Sequence, residues 1–263
     1  MADKLVSLQD AVASIRDGDQ IAFGGGGLNR KPLTAAKEVA RSHAADLRLV
    51  AFLGGPEVDL LIGLGKASSV HFAYVGLDTF GMAPNFRKAR EQGLIEAIEA
   101  TEFIVLTGLE AAVKKVTFLP TKSALGSDIL ALANTPFKVF SCPLTGTELV
   151  AVPALQPDVA FIHVNEADAS GNGFIHGDEF GDLLLARAAK RTYLTAERVV
   201  ERPATRGHFI SRLWVDGVCE TPGGSGFTAM FPDRRLDGQG AAEYAAKAKD
   251  EAWLRSFVSE EAA

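Results

Sequence analysis

The chain has 263 residues, of which 47% are hydrophobic, 23% charged and 26 are glycine, an ordinary globular composition that excludes disordered, collagen-like and low-complexity classes. Its 27 Lys and Arg against 33 Asp and Glu leave a net charge of −6, which argues against non-specific nucleic-acid binding but leaves room for a small basic pocket for a phosphorylated ligand. The opening MADKLVSLQD has no apolar core, and no apolar run reaches the roughly 18–20 residues of a spanning helix, so a cytoplasmic protein is expected.

Taken in order, the segments alternate helix and strand. Ser7-x-x-Asp10 is a relative of the capping box, and Leu8, Ala11, Val12 and Ile15 repeat at helical spacing. Asp17-Gly18-Asp19 ends that helix, and Ile21-Ala22-Phe23 is a short buried strand leading into Gly24-Gly25-Gly26-Gly27. Pro32 opens the next helix. Strands are predicted over 47–53 and 70–75, with helices over 57–64, 85–92 and 102–115. An extended piece over 117–120 precedes strands over 137–140, 149–152 and 159–164, then a helix over 182–190 and a strand over 193–200. One long helix is predicted over 240–258. This alternation implies an α/β fold: an open, mostly parallel sheet with helices on both faces. We read one domain over 1–238 and a C-terminal helical extension over 239–263.

A strand, then glycines, then a helix is where α/β sheets take phosphate-bearing ligands, because glycine lets the backbone approach and the helix start offers free N–H groups. The same glycines equally suit a tightly packed turn. The dinucleotide fingerprint fails, since Asn29 stands where a third glycine is required, and no Gly-Lys-Ser/Thr follows for a P-loop. Cys142 and Cys219 are far apart and outside any CxxC spacing, which reads as reduced thiols, with a lone disulfide as the alternative. His43, His71, His163, His176 and His208 form no HxxxH or HExxH pair, so no metal site is expected.

The run Asp17-Gly18-Asp19-Gln20-Ile21-Ala22-Phe23-Gly24-Gly25-Gly26-Gly27-Leu28-Asn29-Arg30-Lys31-Pro32 resembles the N-terminal signature of class I CoA-transferase A (alpha) subunits. Gly26 stands where that signature has Phe, and Arg30 where it has Gly. Gly55 to Gly63, Phe72 to Gly76, Gly81 to Arg87, Phe118 to Ser123, Pro157 to Val164, Asp168 to Asn172 and Thr221 to Gly224 are similar to the glutaconate CoA-transferase A-subunit branch. The resemblance spans most of residues 7–230 and implies the CoA-transferase type of α/β fold. It also implies a coenzyme A thioester as substrate, a small carboxylic or dicarboxylic acid as acceptor, and no permanently bound cofactor.

In that family a glutamate attacks the thioester and becomes an enzyme–CoA thioester. That glutamate lies in a Ser-Glu-Asn-Gly motif of the B (beta) subunit, and this chain has no such motif. The resemblance therefore implies a hetero-oligomer, a heterotetramer or larger, whose site a B chain completes. Related 3-oxoacid CoA-transferases carry an oxyanion-hole glutamine near the start of the matching helix, and by spacing Glu102 falls there. A carboxylate cannot donate to an oxyanion unless protonated, but it can act as a base toward water, as a hydrolase requires. A solvated first-turn helix acid is the bland alternative.

Other candidates are Gly24, Gly25, Gly26 and Gly27, through their N–H groups, and Arg30, by pairing with a substrate carboxylate, with Lys31 beside it. Surface charge is the competing reading for Arg30 and Lys31. Ser123, with Ser127, is placed in a polar loop that lines the acyl pocket or makes turn hydrogen bonds. His163 reads as a core or interface histidine, and Asn85, Phe86 and Arg87 as helix capping and packing. The leading reading is the A (alpha) chain of a CoA-transferase. A hydrolase or carbon–carbon-cleaving enzyme on a CoA thioester is the alternative, and a non-catalytic ligand-sensing domain the reading of another class.

Overall fold

The computed structural model describes residues 3–202 and 207–260. The last three residues of the expected C-terminal extension lie outside that range. The elements run α1 (Leu8–Ala13), β1 (Gln20–Phe23), α2 (Leu33–Arg41), β2 (Leu47–Gly54), α3 (Pro56–Gly63), β3 (Ala67–Val75), α4 (Pro84–Glu91), β4 (Glu96–Glu99) and α5 (Glu102–Val113). Then come β5 (Phe118–Thr121), β6 (Lys138–Ser141), β7 (Glu148–Pro153), β8 (Val159–Ala167), β9 (Gly173–Ile175), α6 (Asp182–Ala188), β10 (Thr192–Val199), β11 (His208–Ile210), β12 (Gly217–Glu220), α7 (Gly238–Lys247) and α8 (Glu251–Ser259).

The central sheet is mostly parallel. β1 lies between β2 and β8; β3 and β4 extend the sheet on one side, and β10 and β12 on the other. Strand order thus reverses at β1, the point outside whose carboxyl end α/β sheets bind ligands. The central strands read as near-continuous apolar runs because both faces are covered. Ile21 and Phe23, Leu49 and Ala51, and Val159 and Phe161 face one core with α1 to α4, α7 and α8. Ala22, Val50, Ala160, Ile162 and Val164 face the other, with α5 and α6. The strand period of two sorts one run of sequence into two cores.

Two expectations change. The strands near 137–140 and 149–152 are not in the main sheet: β6 and β7 form a hairpin, with β5 on its other edge, in a separate three-stranded antiparallel sheet. The connection from β6 to β7 is too short for the crossover that parallel pairing needs. The helix expected over 240–258 is two helices, because Asp250 accepts from the Ala252 and Trp253 N–H groups and so starts a new one. These helices are part of the core: Tyr244, Leu254 and Val258 are buried against it, and Trp253 stacks on Phe257. Among the described residues, no helix is long and apolar enough to cross a membrane, and both cysteines are free.

Candidate active site

β1 ends at Phe23, but β8 continues beyond it along the same edge until β9 pairs at Glu166 and Ala167. The interval is filled by the glycine loop. The Gly24 N–H donates to Phe161 O at 2.9 Å, extending the ladder by one residue. The chain then folds into a two-residue turn, with Gly26 N–H donating to Asn29 O at 3.0 Å and Asn29 N–H to Gly26 O at 2.8 Å. Gly25 has φ +73, and a side chain there would collide with the Asn29 carbonyl. Gly55, after β2, lies so close to the Gly27 carbonyl that a methyl group would have no room.

Two buried ion pairs hold this loop. Arg30 Nη1 lies 2.8 Å from Asp182 Oδ2, with both side chains only 2% exposed. The same guanidinium donates to His163 O on the unfilled β8 edge and to Asp178 O. Asp182, in the first turn of α6, also accepts the Gly25 N–H at 2.9 Å. Lys31 Nζ lies 2.9 Å from Glu57 Oε1 and donates to the carbonyls of Gly24 and Gly25, while Glu57 accepts the Gly55 N–H. Arg30 and Lys31 are therefore neither surface charges nor open to a substrate carboxylate. Arg30's carboxylate is Asp182, which the sequence pattern does not single out.

The expectation that the loop offers free N–H groups also needs correction. Gly24 donates to Phe161 O, Gly25 to Asp182, Gly26 to Asn29 O and Gly27 to Leu53 O. The loop is built to be shaped by its neighbours, not to donate outward. Gly26 and Gly27 nonetheless form a wall of an open cleft that also contains Asn29, Leu53, Tyr74, Asp78, Glu102 and Phe180. The cleft thus brings together Glu102 and the tip of the glycine loop, which are far apart in sequence.

Glu102 is the first residue of α5, and its carboxylate is exposed. Thr101 caps that helix by accepting the Ile104 N–H, and its hydroxyl lies 2.7 Å from Ser123 Oγ. Ser123 therefore steadies the helix start that carries Glu102 and is not among the cleft-lining residues; Ser127 bonds Ala124 O within its own turn. Opposite, Tyr74 and Asp78 lie at and beyond the carboxyl end of β3. Asp78 accepts the Leu28 N–H at 2.9 Å, and the Tyr74 hydroxyl accepts the Asp78 N–H at 3.2 Å. Burial and the Asp78 charge raise the Tyr74 phenol pKa, so the hydroxyl keeps its proton.

His163 belongs to a separate buried network. Its ring nitrogens lie 2.9 Å from Thr195 Oγ1 and 2.9 Å from Glu197 Oε1. Burial lowers its pKa more than Glu197 raises it, so the ring is neutral. Asn85 is likewise internal, donating to Asp59 and to Ala248 O. Among the described residues, no group of three or more His, Cys, Asp or Glu side chains is disposed to hold a metal.

The family model for coenzyme A transferase matches residues 5–220. The chain belongs to the coenzyme A transferase family. It is 36% identical over 271 residues to the cholesterol ring-cleaving hydrolase IpdA subunit of Mycobacterium tuberculosis, covering 98% of this chain and 92% of that one. It is 31% identical over 244 residues to the alpha chain of glutaconate CoA-transferase from Acidaminococcus fermentans, covering 84% and 76%. The crystal structure of glutaconate coenzyme A-transferase from that organism superposes with a TM-score of 0.89 at 28% identity, over 97% of this chain and 87% of that one. The decarboxylase AibA/AibB gives a TM-score of 0.88 at 28% identity, over 98% of each chain. Coenzyme A transferase family membership thus accommodates transfer, hydrolysis and decarboxylation among similar chains.

Proposed function

We propose that this chain is the alpha subunit of a cytoplasmic, two-subunit coenzyme A transferase family enzyme that hydrolytically cleaves a carbon–carbon bond in a CoA thioester, with Glu102 as general base. The observation that carries this reading is an exposed carboxylate at the head of α5, in one cleft with the glycine-loop tip and the Tyr74 hydroxyl. An ionised carboxylate accepts protons and hydrogen bonds but cannot donate them, so it suits activation of water better than an oxyanion hole. The name of the hydrolase relative, similar along nearly the whole chain, supports the same reading.

The chemistry balances as follows. Glu102 takes a proton from water as the oxygen attacks a ketone carbon of the substrate. The bond between that carbon and its neighbour breaks, leaving a carboxylic acid on one side and a carbanion on the other. The carbanion takes up the proton, so one water is consumed and no oxidant is needed. Tyr74, kept protonated, is the donor in the cleft that can steady the developing oxyanion. Gly26 and Gly27 contact the substrate through their surface.

A second reading, CoA transfer to an acceptor acid with a glutamate nucleophile from the B chain, is favoured by the similarity to the alpha chain of glutaconate CoA-transferase. The absence of a Ser-Glu-Asn-Gly motif supports a B chain under either reading. The test is to purify the chain with its B partner, supply a CoA thioester bearing a ring ketone, and follow ring-opened acid with and without acetate as CoA acceptor. Ring-opened acid without acceptor supports hydrolysis; acetyl-CoA formation without ring opening supports transfer; robust turnover by the isolated chain removes the two-subunit assignment.

A further inference from the structure

Behind the glycine loop, on the α5 and α6 side of the sheet, lies a small closed pocket. Its walls are apolar, chiefly Ala22, Val50, Phe52, Leu106, Leu109 and Leu185. Its polar rim, Gly25 and Asp182, is already satisfied by the hydrogen bond and ion pair described above. An apolar space of this kind stays dry and takes apolar ligands. Its free volume is about 20 Å³, room for one water-sized body.

One residue belongs to both this pocket and the Glu102 cleft: Phe180. Its ring lies against Gly26, where an added Cβ would come within 2.7 Å of the ring edge, and 5.8 Å from the Arg30 guanidinium. Phe180 has φ +47, a conformation an aromatic residue rarely adopts, and Gly181 follows with φ +88. Two successive left-handed residues set the ring between the two spaces.

α5 provides the line between them. Glu102, Leu106 and Leu109 are spaced i, i+4 and i+7, so they share one face of the helix. At about 1.5 Å rise per residue, Leu109 lies roughly 10 Å along the axis from Glu102. A substrate whose reacting carbonyl sits at Glu102 would have its far end at Leu106 and Leu109, in the pocket, once the Phe180 ring turns aside.

We propose that Phe180 gates an acyl-specificity pocket along α5, and that the preferred substrates are CoA thioesters with an alicyclic, apolar acyl portion. A benzene-sized ring needs about 150 Å³ of apolar space, so the pocket accepts a ring only when Phe180 moves. This rests on the reading of the Glu102 cleft as the acyl site.

The experiment measures binding alone, using unreactive thioethers. S-ethyl-CoA and S-(cyclohexylmethyl)-CoA are titrated by calorimetry into the chain assembled with its B partner. The cyclohexylmethyl ligand is expected to bind at least about tenfold tighter, the direction and scale set by the added buried methylenes. Leu106→Trp, which fills the pocket, should bring the two ligands within about twofold while leaving S-ethyl-CoA unchanged. Phe180→Ala, which removes the gate without filling the core, should increase the preference by about threefold or more, and decides the matter if Leu106→Trp fails to assemble. An unchanged preference in Phe180→Ala overturns the proposal. Failure of the hydrolase reading looks different: the preference would stand while Glu102→Gln left turnover unaltered. Binding of neither thioether would remove the cleft as the acyl site, and the gate with it.

Discussion

Asp182→Ala isolates what holds the glycine loop. The carboxylate is 2.8 Å from Arg30 Nη1, both side chains are 2% exposed, and it also accepts the Gly25 N–H. Its loss leaves a buried guanidinium whose remaining partners are the carbonyls of His163 and Asp178, and leaves the Gly25 N–H without an acceptor. Breaking a buried pair from one side costs about 3–5 kcal/mol. An orphaned buried N–H costs about 1–3 kcal/mol, and the two terms overlap because both act through one carboxylate. We expect a loss of about 4 kcal/mol in urea unfolding, against total stabilities of about 5–15 kcal/mol for folded proteins. Arg30→Met should cost about as much, since Asp182 is then the uncompensated charge. The double variant Arg30→Met with Asp182→Leu should recover most of the loss, because apolar replacement of both partners is often close to neutral. Its loop would still lack the Gly25 acceptor, so the assembled double variant should be stable but slow. Single variants within about 1 kcal/mol of the parent, as for a solvent-exposed pair, would refute the reasoning.

Gly55→Ala forces a methyl group onto the Gly27 carbonyl, and a drop of about 1–3 kcal/mol in thermal unfolding is expected, with a raised KM as the cleft wall shifts. Asp59 is pushed up to about 6 by burial, against hydrogen bonds from Phe86, Asn85 and Tyr244, so the folded state binds the extra proton and stability falls as pH rises from about 4 to 6. Burial lowers His71 to about 4, so there the unfolded state binds the extra proton and stability rises over about pH 4 to 6.5. Each shift is worth about 3 kcal/mol and the two oppose, so Asp59→Asn should steepen the rise with pH and His71→Leu should reverse it; unchanged urea-unfolding profiles from pH 4 to 7 would contradict both. Burial pushes the Cys219 thiol up to about 12, while hydrogen bonding to Thr145 lowers that of Cys142, so a thiol reagent should label Cys142 alone in the folded chain and both cysteines in denaturant.

Elements with strong patterns were legible in the sequence: the strand before the glycine loop, the apolar run of β8, and helices announced by Ser7, Pro32, Pro84 and Thr101. β4 was missed because Glu-Ala-Ile-Glu is a charged edge strand with no apolar run to mark it. β9 and β11 are three-residue strands, too short for periodicity. In the site, Glu102 and the glycine loop were readable from motif and spacing. Asp182 and Glu57 were not, because their partners lie 152 and 26 residues away and only the fold brings each pair together. Tyr74 and Asp78 had one usable signal: they lie at the carboxyl end of a parallel strand, on the ligand side of such sheets. Phe180 had none, since its position depends on a left-handed backbone that the sequence does not announce.

The central claim is that the Glu102 carboxylate activates water in the shared cleft. Steady-state hydrolysis of a ring-ketone CoA thioester by the Glu102→Gln chain, assembled with its B partner, tests this most directly. The account predicts a fall of about 10²–10⁴-fold with assembly and unfolding temperature nearly unchanged, because Gln keeps the shape and loses the base. A hydrolysis rate within about twofold of the parent would contradict it, and would return Glu102 to the role of a solvated acid at a helix start.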